Sequence, residues 1–179
     1  MRYFHKRRAV LFFLLKPYTL YCESGRWIMA LGEICNRDVV VIGKDATVQE
    51  AAQLMRIHHV GALIVTIERD GKKVPVGIVT DRDIVIEVLA AGVEIGAVLV
   101  GDVMSDRLLT ASESDGLWET LQRMRIKGVR RLPVVDDQGF LQGIITLDDM
   151  IELLADELAQ VAKIVAREQA AEKTARPRA

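Results

Sequence analysis

Two short phrases hold residue types at a spacing that can do chemistry: "GIVTDRD", Gly77 to Asp83, and "GIITLDD", Gly143 to Asp149. They share Gly, Ile, Thr and the final Asp in register. A helix that begins after Thr80 or Thr146 would present free N–H groups to a phosphate, with the Thr hydroxyl as one more donor. A carboxylate one turn later, Asp83 or Asp149, can accept hydrogen bonds from both vicinal hydroxyls of a ribose, the role an acidic residue plays in dinucleotide folds. The same Thr-x-x-Asp is also a capping-box pattern, in which Thr caps the helix and Asp reaches back to the backbone. The two readings are compatible, because one Thr can cap a helix and meet a ligand.

Phosphates need further positive charge, and "KGVRRLPVV" supplies Lys127, Arg130 and Arg131 just before an apolar stretch. Arg can grip a phosphate in bidentate fashion; a solvated basic patch at a helix end is the plainer account. The matching positions of the first phrase's surroundings are Gly61 and Ala62, so two such sites would differ. Arg82 has no basic counterpart, since Asp148 stands there, and Asp148 would repel a polyphosphate that it faced. Val41, Ile64 and Val134 could flank an adenine, and they would be apolar as ordinary core too. Adjacent His58 and His59 lack further ligands at metal spacing and read as helix-end residues near a cleft. Asp81 and Asp83, two apart across a helix start, point in different directions and do not form a catalytic pair.

Those phrases must be carried by equivalent elements, because the chain repeats itself. At an offset of 69, "GEIC" (32–35) meets "GDVM" (101–104), Val48 meets Leu117, Met55 meets Met124, and "VGALIV" (60–65) meets "VRRLPV" (129–134). The offset falls to 66 at the Thr-x-x-Asp phrase, because the loop "TIERDGKKVPV" is three residues longer than its counterpart. Each copy opens with a short β-branched stretch, "VVVI" (39–42) or "RLLT" (107–110). An amphipathic helix follows, with Val48, Ala51, Ala52 and Met55 on one face, or Leu117, Thr120, Leu121 and Met124. Thr47 and Glu50 form a capping box for the first helix; Gly116 gives the second a weaker start. "ALIVTI" and "LPVVD" read as strands that turn into "VGIVT" and "QGIIT", and a second helix begins at Asp81 or Leu147. Each copy is thus β-α-β-β-α, too small to be comfortable alone.

This duplicated unit, with "HHVGALIV", "GIVTDRD", "VGDVM", "GVRRLPVVD" and "GIITLDD" in order and spacing, resembles a tandem pair of cystathionine-β-synthase (CBS) domains of the bacterial stand-alone type. The resemblance runs from Leu31 to about Asp156. It implies an α/β (α+β) fold of two repeats packed as a pseudo-twofold module, whose cleft can hold adenosine ligands: AMP, ADP, ATP or S-adenosylmethionine. It carries phosphate and ribose contacts to Thr80, Asp83, Thr146 and Asp149, and implies pairing into disc-shaped homodimers. Occupancy would then act through dimer geometry. CBS pairs also occur as inserts in IMP dehydrogenase, but the barrel and catalytic-cysteine loop of that enzyme find no match here, so no catalysis is expected. A ligand-independent dimerisation or adaptor module is the alternative.

Composition fits a globular chain: 179 residues, half of them apolar, with a formal net charge of −1. That balance gives no electrostatic reason to expect nucleic acid. Cys22 and Cys35 are unclustered, which suits a reducing, cytoplasmic compartment without disulfides or metal. Expected boundaries are 1–28 for an N-terminal extension, 29–96 and 97–156 for the repeats, and 157–179 for a terminal helix and tail. The extension has a basic start and an apolar run, Ala9 to Leu15, too short to span a bilayer. It reads as residues before a true start at Met29, or as a signal- or anchor-like segment without a clean cleavage site. In the tail, Ile151, Leu154, Leu158, Val161 and Val165 form an a/d heptad seam that could pack on its own module or on a partner chain; because it outlasts the expected core, the partner chain is favoured.

Overall fold

In the computed structural model the described residues are 29–175. Residues 1–28, with Cys22 and the apolar run, and residues 176–179 lie outside them. The order is α1 (Leu31–Ile34), β1 (Val41–Ile42), α2 (Val48–His58), β2 (Ala62–Arg69), β3 (Lys72–Thr80) and α3 (Asp81–Asp83), which runs on as a π-helical segment Ile84–Leu89. The second series is α4 (Val100–Val103), β4 (Ala111–Ser112), α5 (Leu117–Lys127), β5 (Arg131–Val135), β6 (Leu141–Thr146) and α6 (Leu147–Ala175). Two three-stranded sheets result, β1-β2-β3 and β4-β5-β6, each with one parallel and one antiparallel pairing. This is the expected mixed α/β duplication, with the long C-terminal helix.

Local chemistry explains the elements. Thr47 accepts from the Glu50 amide at 3.2 Å and Glu50 accepts from the Thr47 amide at 2.7 Å, closing the first box. Gly116 offers α5 no side-chain cap, and the Leu117 amide donates to Met29 O at 3.1 Å instead. The longer β2–β3 hairpin turns at Asp70 and Gly71, both with positive φ, as an Asp-Gly hairpin favours. The short opening strands differ from expectation. Val39 and Val40 stay outside β1, and in the second repeat the strand is Ala111–Ser112, not Arg107–Thr110. Only the residues registered with Ile64–Val65 and Val134–Val135 find a ladder partner.

The packing crosses between repeats. Leu31 and Cys35 of the first repeat lie in the core of the second, with Ala111, Leu117, Leu132 and Ile145. In return Val100 completes the core of the first, with Val48, Leu63 and Val79. Single bridges fix the exchange: Asn36 to Ile144 on β6, and Ser105 to Ile78 on β3. Leu31 and Val100 are fully buried, which is worth roughly 1.5–3 kcal/mol for each side chain. A cut between 96 and 97 would therefore take from each sheet the short helix that covers it.

The exchange explains a residue of the repeated phrase that sequence reasoning left unexplained. A Cβ on Gly77 would lie 2.6 Å from Met104 Sδ and 3.1 Å from Ser105 O. One on Gly143 would lie 2.6 Å from Cys35 Sγ and 2.9 Å from Asn36 O. The phrase opens with Gly because the crossing segment presses on that strand. Cys35 is buried there, and burial pushes its thiol pKa up despite nearby Arg37.

Candidate functional site

Both Thr-x-x-Asp pairs close as capping boxes at a strand-to-helix junction. Thr80 Oγ1 donates to Asp83 Oδ2 at 2.7 Å, the Thr80 amide donates to the same oxygen at 2.8 Å, and the Asp83 amide donates back to Thr80 Oγ1 at 3.3 Å. In the second repeat the corresponding distances are 2.7, 3.1 and 3.1 Å. All four residues are half-buried. In each box one carboxylate oxygen, Oδ2, takes both bonds, and no described residue bonds Oδ1. Each Asp therefore has a fixed rotamer and one uncommitted acceptor oxygen.

Ladder register places the neighbours. Ala62 lies opposite Thr80, and Arg131 lies opposite Thr146. Arg131 is half-buried, and its guanidinium reaches the first repeat. A Cβ on Gly61 would stand 3.7 Å from Arg131 Nη2 and 3.1 Å from Asp81 Oδ2. No described residue forms an ion pair with Arg131, so its charge is available at the seam between repeats. Arg130 is different. Its Nη2 is 3.3 Å from Asp148 Oδ1, with both side chains about two-thirds exposed. The additional carboxylate of "TLDD" is thus met by a neighbouring cation, so the repulsion expected of it is reduced.

Other candidate residues divide. Ile64 is fully buried yet belongs to neither helix-backed core, while Leu63 and Val65 beside it do. Strand alternation turns Ile64, with its ladder neighbours Val41 and Ile78, to the opposite face of the sheet. That face looks toward the second repeat, where β3 lies against β6. Val134 does not take the matching place. It points into the second core with Leu132 and Ile145, and alternation gives Ile64's position to Pro133. The notion of Val134 as an adenine flank fails for that reason: at the offset of 69 Val134 matches the core residue Val65, and Ile64 matches Pro133. Arg82 is exposed; its amide donates to Asp81 Oδ1 at 2.8 Å, and nothing draws its side chain to Thr80. His58 and His59 are exposed at the end of α2, His59 as a left-handed cap with φ 54°. Lys127 is exposed in the last turn of α5. Among the described residues, no three His, Cys, Asp or Glu side chains are grouped to hold a metal. No described helix is long and apolar enough to cross a membrane.

The arrangement offers a carboxylate acceptor and a helix start at each of two strand-to-helix junctions, with the unpaired guanidinium of Arg131 near Gly61 of the first repeat. Comparison with known proteins agrees in fold and family. The CBS domain family model matches residues 31–90 and 100–156. A protein of Methanopyrus kandleri is 38% identical over 125 residues, 70% of this chain and 62% of that protein, so this chain spans under two-thirds of its length. The CBS domain-containing protein YhcV of Bacillus subtilis is 39% identical over 112 residues, 63% of this chain and 76% of that one. Among solved structures, the CBS domain pair of MJ0100 in complex with 5-methylthioadenosine and S-adenosyl-L-methionine has a TM-score of 0.64 at 24% identity, covering 73% of this chain and 98% of that one. PAE2072 from Pyrobaculum aerophilum, complexed with AMP, has a TM-score of 0.61 at 24% identity, covering 68% and 89%. At that identity the likeness is one of fold.

Proposed function

The chain belongs to the CBS domain family, and from that premise we propose that it is a non-catalytic regulatory module for adenosine-containing ligands. AMP, ADP, ATP or S-adenosylmethionine would sit between the repeats, ribose hydroxyls donating to Oδ1 of Asp83 or Asp149. Phosphate would meet the helix start after Thr80 or Thr146. The observation that carries this is the free Oδ1 of each box, with the unpaired Arg131 opposite Thr146 on the ladder and its guanidinium near Gly61. Ligands of these classes in PAE2072 and MJ0100 support the ligand class on a shared fold. Two sites would share ribose recognition and differ toward phosphate, because only one repeat has the Arg130–Arg131 pair.

Occupancy would be passed on through a homodimer in the cytoplasm, with nucleic acid and membrane spans playing no part. For that, ligand must bind two dimer geometries with different affinity. The test is thermal shift and calorimetry with AMP, ADP, ATP, GTP and S-adenosylmethionine on wild type, Asp83→Ala and Asp149→Ala. A ligand selective for the native state raises the melting midpoint, by an amount that grows with its concentration over Kd. Wild type should respond to at least one adenosine ligand and each variant should lose one site. Silence toward every ligand at millimolar concentration overturns the reading and leaves the ligand-independent adaptor.

A further inference from the structure

Two opposite charges, one from each repeat, border Gly61. A Cβ built there would stand 3.1 Å from Asp81 Oδ2 and 3.7 Å from Arg131 Nη2. No described ion pair joins the two groups, so each faces the same point with its charge uncommitted. Gly61 has no positive φ that would call for glycine. What its missing side chain does is leave the carboxylate and the guanidinium on either side of one gap. The second repeat has none of these three parts: Arg130 matches Gly61, Leu147 matches Asp81, and Ala62 is the first-repeat match of Arg131.

Asp81 also limits what the adjoining helix start can offer. Its Oδ1 accepts from the Arg82 amide at 2.8 Å. The Asp81 amide donates to Gly61 O at 3.2 Å, and the Asp83 amide to Thr80 Oγ1 at 3.3 Å. The first three amides of this helix thus have partners already, and a carboxylate stands beside them. A phosphate would find none of them spare and would be repelled by Asp81. In the second repeat Leu147 has no carboxylate with which to engage the Asp148 amide. A dianion is therefore served worse at the first site than at the second, even with Arg131 at hand. A group that carries an ammonium next to a carboxylate meets both charges with its own.

We propose that Asp81 and Arg131 make the first-repeat site selective for an adenosine ligand with an α-amino-acid tail, the chemistry of S-adenosylmethionine. The ammonium donates to Asp81 Oδ2, and the carboxylate accepts from Arg131 Nη2. Asp83, which takes the ribose, lies in the same helical turn as Asp81. The assignment rests on the adenosine reading of this site and narrows it. Arg131 serves a carboxylate or a phosphate alike, and Asp81 decides between them.

Calorimetric titration of the full chain carrying Asp149→Asn, which removes the second ribose acceptor, isolates the first site. The probes are S-adenosylmethionine, AMP, and 5-methylthioadenosine, which lacks the amino-acid tail. S-adenosylmethionine should bind at least about tenfold more tightly than 5-methylthioadenosine, as charge-assisted bonds require. Adding Asp81→Asn keeps an acceptor for the Arg82 amide and removes the charge. It should weaken S-adenosylmethionine about tenfold, leave 5-methylthioadenosine within about twofold, and strengthen AMP about three- to tenfold. Arg131→Ala should weaken S-adenosylmethionine and AMP together, and melting curves check that each variant is folded. Unchanged affinity for S-adenosylmethionine in Asp81→Asn, an equal loss for 5-methylthioadenosine, or no gain for AMP overturns the proposal. If S-adenosylmethionine and 5-methylthioadenosine bind alike, the tail assignment falls and the adenosine reading stands. If none of the three probes binds, the adenosine reading itself has failed.

Discussion

Replacing the glycine of either phrase by alanine should test the exchange of short helices directly, and the two replacements should not cost the same. At Gly143 the new methyl would meet Cys35 Sγ at 2.6 Å and Asn36 O at 2.9 Å. Neither can retreat easily. Cys35 is buried, and Asn36 is held by a reciprocal pair of backbone bonds to Ile144, both 2.9 Å. At Gly77 the nearest atom is Met104 Sδ, the far part of a flexible side chain, and the backbone oxygen of Ser105 is 3.1 Å away. Overpacking costs about 1–3 kcal/mol, loss of a backbone bond adds about 1 kcal/mol, and the stiffer unfolded chain returns about 0.4–1 kcal/mol. Gly143→Ala should thus lose about 3 kcal/mol and Gly77→Ala about 1. For a chain of this size the melting midpoints should fall by about 6–12 °C and 2–4 °C. Circular dichroism melts with urea titration would measure both. Adding Met104→Ala to Gly77→Ala should recover most of the loss, because the closest contact disappears. Adding Cys35→Ala to Gly143→Ala should recover only part, because Asn36 O remains. If Gly143→Ala melts with wild type, or Gly77→Ala is the worse of the two, the crossing segments do not press on these strands as described.

Thr120 is fully buried in α5 with an unpartnered Oγ1, so Thr120→Val should raise stability by about 1 kcal/mol in urea titration. Its counterpart in the first repeat is already Ala51. Hydrogen bonds from Thr47 hold the Glu50 carboxyl below its usual range, and those from Phe140, Gln138 and Gln142, with Lys72 nearby, do the same for Asp136. A carboxyl whose folded pKa is depressed contributes stability above its unfolded pKa and loses it as pH falls through the folded one. Melting midpoints should therefore drop below about pH 4.5, and Glu50→Gln should weaken that dependence. Arg131→Ala should weaken binding of a phosphate-bearing ligand by about tenfold, the worth of one charge-assisted bond. Arg130→Ala should change it little, since Arg130 already faces Asp148; calorimetry with both variants decides it.

What could be read from the chain was whatever has a period or a local rule. Helices α2 and α5 follow from apolar spacing, and the starts at Asp81 and Leu147 from Thr-x-x-Asp. The exchange of α1 and α4 was not legible, although "GEIC" and "GDVM" were visibly equivalent. Four-residue helices carry no full period, and a self-alignment says which segments match, not whose core each one completes. The glycine heading the phrase was the available signal, as a strand glycine marks close backbone approach. Val134 was misplaced for a related reason. The run "LPVV" has no alternation of its own, yet the offset of 69 already sets Ile64 against Pro133, and taking Val134 instead is a one-residue shift that reverses the face. The Arg130–Asp148 pair needed geometry as well, because its partners are eighteen residues apart.

Whether Asp83 and Asp149 exist for the cap or for a ligand is decided by which oxygen does what. If capping engaged both oxygens, a ligand would have to break the box and lose about what the box contributes. Here Oδ2 accepts from Thr Oγ1 and from the Thr amide, and Oδ1 is spared. Asparagine separates the two roles. Its single carbonyl oxygen can replace Oδ2 in the cap, which turns the amide nitrogen to where Oδ1 stood. That nitrogen donates and cannot accept from a ribose hydroxyl. Asp83→Asn should therefore stay within about 1 kcal/mol of wild-type stability while its site loses ligand affinity. Asp83→Ala should lose affinity and also destabilise by about 1–2 kcal/mol, because the half-buried Thr80 amide is left unpaired. Paired melts and titrations of the two variants would show it. If Asp83→Asn binds like wild type, Oδ1 is not a ribose acceptor and the Thr-x-x-Asp of that repeat is a helix cap alone.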